Sequence, residues 1–204
     1  MERVLSEAFL VIDVQNDFCT GGALAVLNGK MIVQPINEAM DHFDLVLLTQ
    51  DWHPQEHKSF ASSYENKRPF DTVGMFYGDL VLRPDHSIQG SLGANFHPDL
   101  KDEKADVIIR KGSNPAVGSY SHFFDNGKVK PTGLHGYLKD CEVTDLMLAG
   151  LATDFCVAFS ALDAAILGYQ VTVSLDMVRA IDADGSLRSA MGKMSKAGVS
   201  LVNG

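Results

Sequence analysis

Five side chains with chemical potential stand at the ends of apolar runs: Asp13 after AFLVI, Asp51 and His53 after LVLLTQ, Lys111 after VIIR, and Cys156 after LMLAGLATDF. A cysteine attacks a carbonyl only as its thiolate, so it needs a base to remove the proton and a cation to hold the anion. Asp13 and Lys111 are of the types that supply both. Buried without a partner, the Asp13 carboxylate would cost several kcal/mol, on the order of 3–5, so a cation or donor beside it is required. The plainer alternatives are a sheet-end ion pair and a small buried thiol. Position, rather than residue type, sets Cys156 apart.

Asp51 and His53 have one residue between them, and in an extended segment that spacing turns both side chains to the same side of the backbone. A carboxylate and an imidazole converging there suit a metal ion, which needs a third ligand. His57, His86 and His97 are all available, and spacing does not choose among them. One Asp with two His and open positions fits zinc, iron or manganese equally.

Positioning these groups requires strands that end together. Ala8–Val14, Leu45–Thr49, Val107–Ile109, Leu146–Leu151, Tyr169–Leu175 and Val199–Val202 have the apolar continuity of buried parallel strands. Helical spacing appears over Met31–Phe43, Asp154–Leu167 (closed by Gly168) and about Leu187–Ala197. Strands alternating with helices predict a three-layer α/β sandwich, a mainly parallel sheet with helices on both faces. The ligand crevice of such a sheet lies beyond the carboxyl ends of its strands, where all five side chains fall. Thr153 or Asp154 would cap the helix that carries Cys156, whose first-turn N–H groups and dipole would favour a thiolate and could hold an oxyanion.

At 204 residues the chain predicts a single domain over 1–204, interrupted by a long segment at about 54–106 rich in Pro, Gly, His and aromatic residues. Loops of that length usually carry function, and a short helix near Ser59–Lys67 is one way to build it. A net charge of -9 argues against nucleic acid or an anionic membrane as partner and leaves a small molecule. Cys19, Cys141 and Cys156 are odd in number and show no Cys-x-x-Cys spacing, which predicts a reducing compartment. Met1-Glu2-Arg3 running into a short apolar stretch lacks the marks of a leader or span, so a cytoplasmic location is expected. A homo-oligomer is compatible with all of this.

Five motifs carry a resemblance: VIDVQNDFCTGGAL (Val11–Leu24), TQDWHPQEHKSFAS (Thr49–Ser62), RPDHSIQG with ANFHP (Arg83–Pro98), IRKGSNPAVGSYSHFFDN (Ile109–Asn126) and GLATDFCV (Gly150–Val157). In this order they resemble the nicotinamidase/pyrazinamidase group of isochorismatase-like cysteine hydrolases, end to end. The resemblance implies a six-stranded sheet and a triad of Asp13, Lys111 and Cys156. It implies metal ligands Asp51, His53 and His86 with His57 just behind them, zinc being the first expectation. It also implies an oxyanion hole from the N–H groups of Ala152 and Cys156, a cis peptide at Leu151-Ala152, and Phe18 and Tyr120 as pocket walls. The activity implied is hydrolysis of nicotinamide to nicotinate and ammonia, and of pyrazinamide likewise, through a thioester, within NAD salvage. Two positions depart from the family pattern: Arg83 replaces a Trp and Ser87 a Cys. Arg83 lines the expected substrate pocket and opens a second reading, a related amidase for an anionic primary amide.

Overall fold

A computed structural model describes residues 6–203. The opening Met1-Glu2-Arg3, on which the leader reading partly rests, lies outside them. In chain order the elements are β1 (Glu7–Ile12), α1 (Val33–Ala39), β2 (Val46–Asp51), β3 (Thr72–Met75), β4 (Gly78–Val81), β5 (Val107–Lys111), α2 (Leu134–Asp140), β6 (Asp145–Leu151), α3 (Ala158–Ile166), β7 (Gln170–Arg179), α4 (Ser186–Lys196) and β8 (Ser200–Val202).

Six strands form one sheet in the order β5-β2-β1-β6-β7-β8, with every pairing parallel. From β1 the chain moves outward through β2 to β5, then returns to lay β6 against the other side of β1. The strand order therefore reverses between β1 and β6, and a crevice opens where connections leave in opposite directions. Period-two alternation along β1 divides the interior. Ala8, Leu10 and Ile12 enter a core shared with α2, α3 and α4, while Phe9 and Val11 enter a second core with α1 and Phe18. This is the expected three-layer α/β sandwich.

Four details differ from the sequence reading. First, the helix expected over Met31–Phe43 is α-helical only from Val33 to Ala39, with 3-10 turns at Gly29–Ile32 and Met40–His42. Pro35 lacks a backbone N–H and fits only near a helix start, where such groups have no partner in any case. Second, no α-helix forms near Ser59–Lys67. That stretch contains one 3-10 turn, Ala61–Ser63, and is held instead by a backbone exchange in which Arg83 N–H donates to Ser59 O (2.8 Å) and Ala61 N–H to Arg83 O (2.9 Å). Third, the same segment folds β3 and β4 into an antiparallel pair separate from the main sheet. Fourth, β1 stops at Ile12 because Asp13 takes a left-handed φ of 48°, a region that Asp tolerates better than most residues. Among the described residues no helix is long and apolar enough to cross a membrane.

Candidate active site

Cys156 is placed by the corner after β6. Gly150 has φ of 121°, and a Cβ there would lie 2.0 Å from Ile12 O, so only glycine lets β6 approach β1 this closely. The Leu151-Ala152 peptide that follows is cis. Ala152 O then accepts N–H groups from Phe155 (3.1 Å) and Val157 (3.2 Å), and Thr153–Val157 forms a wide π turn before α3. Neither Thr153 nor Asp154 caps this helix through its side chain, contrary to the expectation. Asp154 instead accepts from the N–H groups of Ile181 (3.0 Å) and Asp182 (2.8 Å) and from the Ser186 hydroxyl, tying the corner to the loop beyond β7. Those donors lie outside the helix and occupy both carboxylate oxygens.

Burial is the largest influence on the thiol at the corner. Burial pushes the Cys156 thiol up, and Asp13 and Asp51 add to this, while the Lys111 ammonium pulls the other way without prevailing. The helix start alone was expected to favour the anion. Desolvation outweighs it in a site this closed.

Asp13 is an ionisable neighbour of this thiol. Its Oδ1 accepts the Thr49 hydroxyl at 2.9 Å, and Thr49 Oγ1 in turn accepts the Asp13 backbone N–H at 3.2 Å. Asp13 Oδ2 accepts no hydrogen bond and lies 3.3 Å from Lys111 Nζ. Burial works against the ionised form, yet His122 and Lys111 together hold the Asp13 carboxyl below its ordinary value. Lys111 sits directly across from Asp51 in the β2–β5 register, and its Nζ reaches Asp51 Oδ1 at 2.8 Å and Ser119 O at 3.0 Å. Burial would favour the neutral amine, but Asp13 and Asp51 keep it protonated, well above its usual range. One ammonium thus joins the two carboxylates of the site.

The candidate metal ligands are Asp51, His53 and His86, whose ligand atoms all lie within 4.8 Å of one another. His53 Nδ1 is 3.0 Å from Gly112 O and His86 Nδ1 is 2.8 Å from Pro84 O. A carbonyl oxygen only accepts, so both Nδ1 atoms carry the proton and both Nε2 atoms present lone pairs. Those lone pairs face Asp51 at 3.0 Å from Oδ1 and 3.5 Å from Oδ2. Three acceptors converging without a proton between them fit a cation, and the donor set suits a divalent metal. Gly112 matters here: a Cβ on it would lie 2.4 Å from His53 Cε1. His57 is different. Its Nε2 faces Val117 O at 3.2 Å and its Nδ1 accepts from Ser59 Oγ at 2.7 Å, so protein groups occupy both nitrogens. Its ring packs 4.2 Å from that of His53, and burial holds it neutral, at about 3. His97 lies apart, with its Nδ1 near Asp99.

Phe18, Arg83, Tyr120, Ala152 and Cys156 line the same cavity as Asp51, His53, His86 and Lys111. Phe18 meets the His86 ring edge-on at 5.6 Å. Tyr120 packs against Phe155 and Phe159 at 5.7 and 5.0 Å. Arg83 is buried, and its guanidinium lies 4.5 Å from the Phe155 ring and 5.8 Å from the Phe70 ring, with no carboxylate in ion-pair range among the described residues. Ser87 is fully buried; its N–H donates to Asp17 (2.7 Å) and its carbonyl accepts the His53 N–H (2.9 Å), so it holds the irregular backbone that presents His53. Sequence reasoning missed His122, which is fully buried with Nε2 2.8 Å from Asp13 Oδ1. It lies in an irregular loop just after Tyr120, where no periodicity marks a functional position.

Comparisons with known proteins identify the family. The Isochorismatase domain model matches residues 7–203. A nicotinamidase of Acinetobacter baylyi is 43 % identical over 203 residues, covering 100 % of this chain and 95 % of the relative. The solved Acinetobacter baumanii nicotinamidase/pyrazinamidase superposes with a TM-score of 0.96 at 44 % identity, covering 99 % and 98 % of the two chains. A Pyrococcus horikoshii pyrazinamidase, solved in complex with zinc, superposes with a TM-score of 0.79 at 32 % identity, covering 98 % and 99 %. With a cysteine corner, a carboxylate–ammonium–carboxylate bridge and a metal-competent cluster all on one crevice, the chain belongs to the isochorismatase domain family and is an amidohydrolase of that family.

Proposed function

We propose that this protein hydrolyses nicotinamide to nicotinate and ammonia, and pyrazinamide to pyrazinoate, in the cytoplasm as a step of NAD salvage. The observation that carries the reading is the buried Asp13–Lys111 ion pair, 3.3 Å, behind an aromatic cavity that Lys111 and Cys156 both line. The relatives named nicotinamidase support the choice of amide.

In this reading Asp13 Oδ2 takes the Cys156 proton while Lys111 offsets the growing negative charge, and the sulfur attacks the carboxamide carbon. N–H groups of Ala152 and Cys156 receive the oxyanion. Asp13 passes its proton to the amide nitrogen, ammonia departs and a thioester remains. Water attacks that thioester with Asp13 again accepting a proton, which releases the carboxylate and returns the thiol. The ring lies between Phe18 and the Arg83–Phe155 stack, with Tyr120 closing one side. A divalent ion, zinc before iron or manganese, would be held by Asp51, His53 and His86 and would supply Lewis acidity or a seat for the ring nitrogen. The neutral His57 supports the His53 ring from behind.

The test is ammonia release from nicotinamide by metal-loaded protein, with and without iodoacetamide. Turnover that iodoacetamide abolishes is the expected result; turnover insensitive to alkylation removes the cysteine from the reaction. A metal-only oxygenase site, the other chemistry that one Asp and two His can serve, would leave Lys111 and Cys156 without a role.

A further inference from the structure

His122 is a buried titratable side chain that the reaction above does not use, and it touches the proton carrier directly. Its Nε2 lies 2.8 Å from Asp13 Oδ1, and its Nδ1 lies 3.0 Å from Ser160 Oγ on α3. The same Ser160 Oγ accepts the backbone N–H of His122 at 3.1 Å. Asp13 Oδ1 only accepts, so Nε2 carries a ring proton, and in the neutral ring Nδ1 accepts from the Ser160 hydroxyl. The ring proton on Nε2 is thus donated to Asp13. Thr49 repeats the device on the other side: its hydroxyl accepts the Asp13 N–H and donates to the same Oδ1. Oδ1 is thereby saturated by two donors, and Oδ2 is left without a hydrogen bond, 3.3 Å from Lys111 Nζ.

We infer that His122, with its Nδ1 held by Ser160, is a positioning residue that pins Asp13 Oδ1 and so reserves Oδ2 for the proton travelling between Cys156 and the leaving nitrogen. Without this contact the carboxylate can rotate to give either oxygen to Lys111, and the thiol loses a base held in line. Burial holds the imidazole below its ordinary value despite the adjacent carboxylate, in keeping with a ring that carries a single proton. The inference rests on Asp13 being the proton carrier proposed above. It does not depend on which amide is the substrate.

The test compares His122→Ala, His122→Gln and Ser160→Ala in the full metal-loaded protein, because a glutamine amide can place an N–H near the position of Nε2. Two readouts are taken: kcat and KM for nicotinamide, and the rate of Cys156 alkylation by iodoacetamide followed by mass spectrometry. His122→Ala is expected to lower kcat by about tenfold or more with KM changed less than about threefold, because the contact acts on the proton and not on the ring. Alkylation should slow in parallel. His122→Gln should recover most of both losses, and Ser160→Ala should fall between Ala and wild type. Should His122→Ala fail to fold, the glutamine and serine variants carry the comparison. Kinetics and alkylation within twofold of wild type in all folded variants would overturn the inference, as would a glutamine variant no better than alanine, or a loss confined to KM, metal content or thermal stability. If wild type releases no ammonia from nicotinamide, the substrate reading fails, while the order of the alkylation rates still decides the role of His122.

Discussion

Half of the crevice is built by the sheet and half by the long segment between β2 and β5, and the two halves hold their side chains by different means. Asp13, Lys111 and Cys156 follow directly from β1, β5 and β6, so strand register and one glycine contact, Gly150 against Ile12 O, set their separation. His53, His57, Arg83 and His86 come from irregular backbone, and each is fixed by its own hydrogen bonds or ring contacts: Nδ1 of His53 on Gly112 O, Nδ1 of His86 on Pro84 O, Arg83 on Phe155. Register is shared by many residues and tolerates the loss of one side chain. A loop ligand held by one carbonyl does not. The sheet half should therefore lose chemistry while keeping its shape, and the loop half should lose metal or selectivity while keeping its thiol.

The largest effect expected is on the sheet side. Cys156→Ala removes the nucleophile but little volume, so turnover should fall at least 100-fold, about 2.7 kcal/mol of barrier at roughly 1.36 per tenfold, with circular dichroism and bound metal unchanged. Residual activity above about one per cent would argue against covalent catalysis. Next come the metal ligands. Asp51→Ala or His86→Ala should lose bound metal by elemental analysis, on the order of 100-fold in affinity, while the thiol still reacts with iodoacetamide. His57→Ala should retain metal far better, because Val117 O and Ser59 already occupy its ring nitrogens. Equal metal loss from His57→Ala and His86→Ala would exchange their roles.

His57 also gives a pH effect of intermediate size. Its folded value is lowered to about 3, whereas an unfolded histidine titrates near 6.5. Below that unfolded value the denatured chain binds a proton that the folded chain refuses, so stability falls as pH drops, by up to about 1.36 kcal/mol per unit. Between pH 6.5 and 5, before most carboxylates titrate, this amounts to roughly 1.6 kcal/mol. Urea midpoints of metal-free wild type and His57→Gln should converge as the pH is lowered through this window. Parallel curves would mean that the ring protonates freely in the folded protein.

The same division explains what could be read from the chain. The sheet half was legible: apolar runs ending in Asp13, Lys111 and Cys156 gave the strands, their parallel pairing and the crevice, though not the strand order, because burial on both faces leaves a continuous hydrophobic signature. The segment from Pro54 to Asp106 was legible only as functional. Its β3–β4 pair and the exchange between Ser59 and Arg83 depend on contacts distant in sequence, which no local period encodes. Spacing left the third candidate ligand open among three histidines, and only the resemblance favoured His86. His122 and the outward pull of Asp154 escaped for one reason: each is decided by a partner on another element, Ser160 with Asp13 in the first case and the loop after β7 in the second.

The smallest expected effect probes the loop half alone. The Arg83 guanidinium stacks on Phe155, lies 5.8 Å from the Phe70 ring and has no carboxylate ion pair among the described residues, so both its planar contact and its charge bear on the cavity it lines. If the flat face is what matters, a nicotinamide ring packs on it as on an aromatic wall, and Arg83→Trp should change kcat/KM for nicotinamide by less than about tenfold. If the charge matters, a bidentate contact should favour amides that carry a carboxylate. Measuring kcat/KM for nicotinamide and for carboxylate-bearing primary amides, in wild type and Arg83→Trp, separates the two. We expect nicotinamide to be preferred in both proteins and the rate of Cys156 alkylation to be the same, since Arg83 belongs to the half that selects and not to the half that reacts. A wild-type preference for the anionic amide of tenfold or more, about 1.4 kcal/mol, that Arg83→Trp reverses would replace the substrate while leaving the thiol chemistry in place.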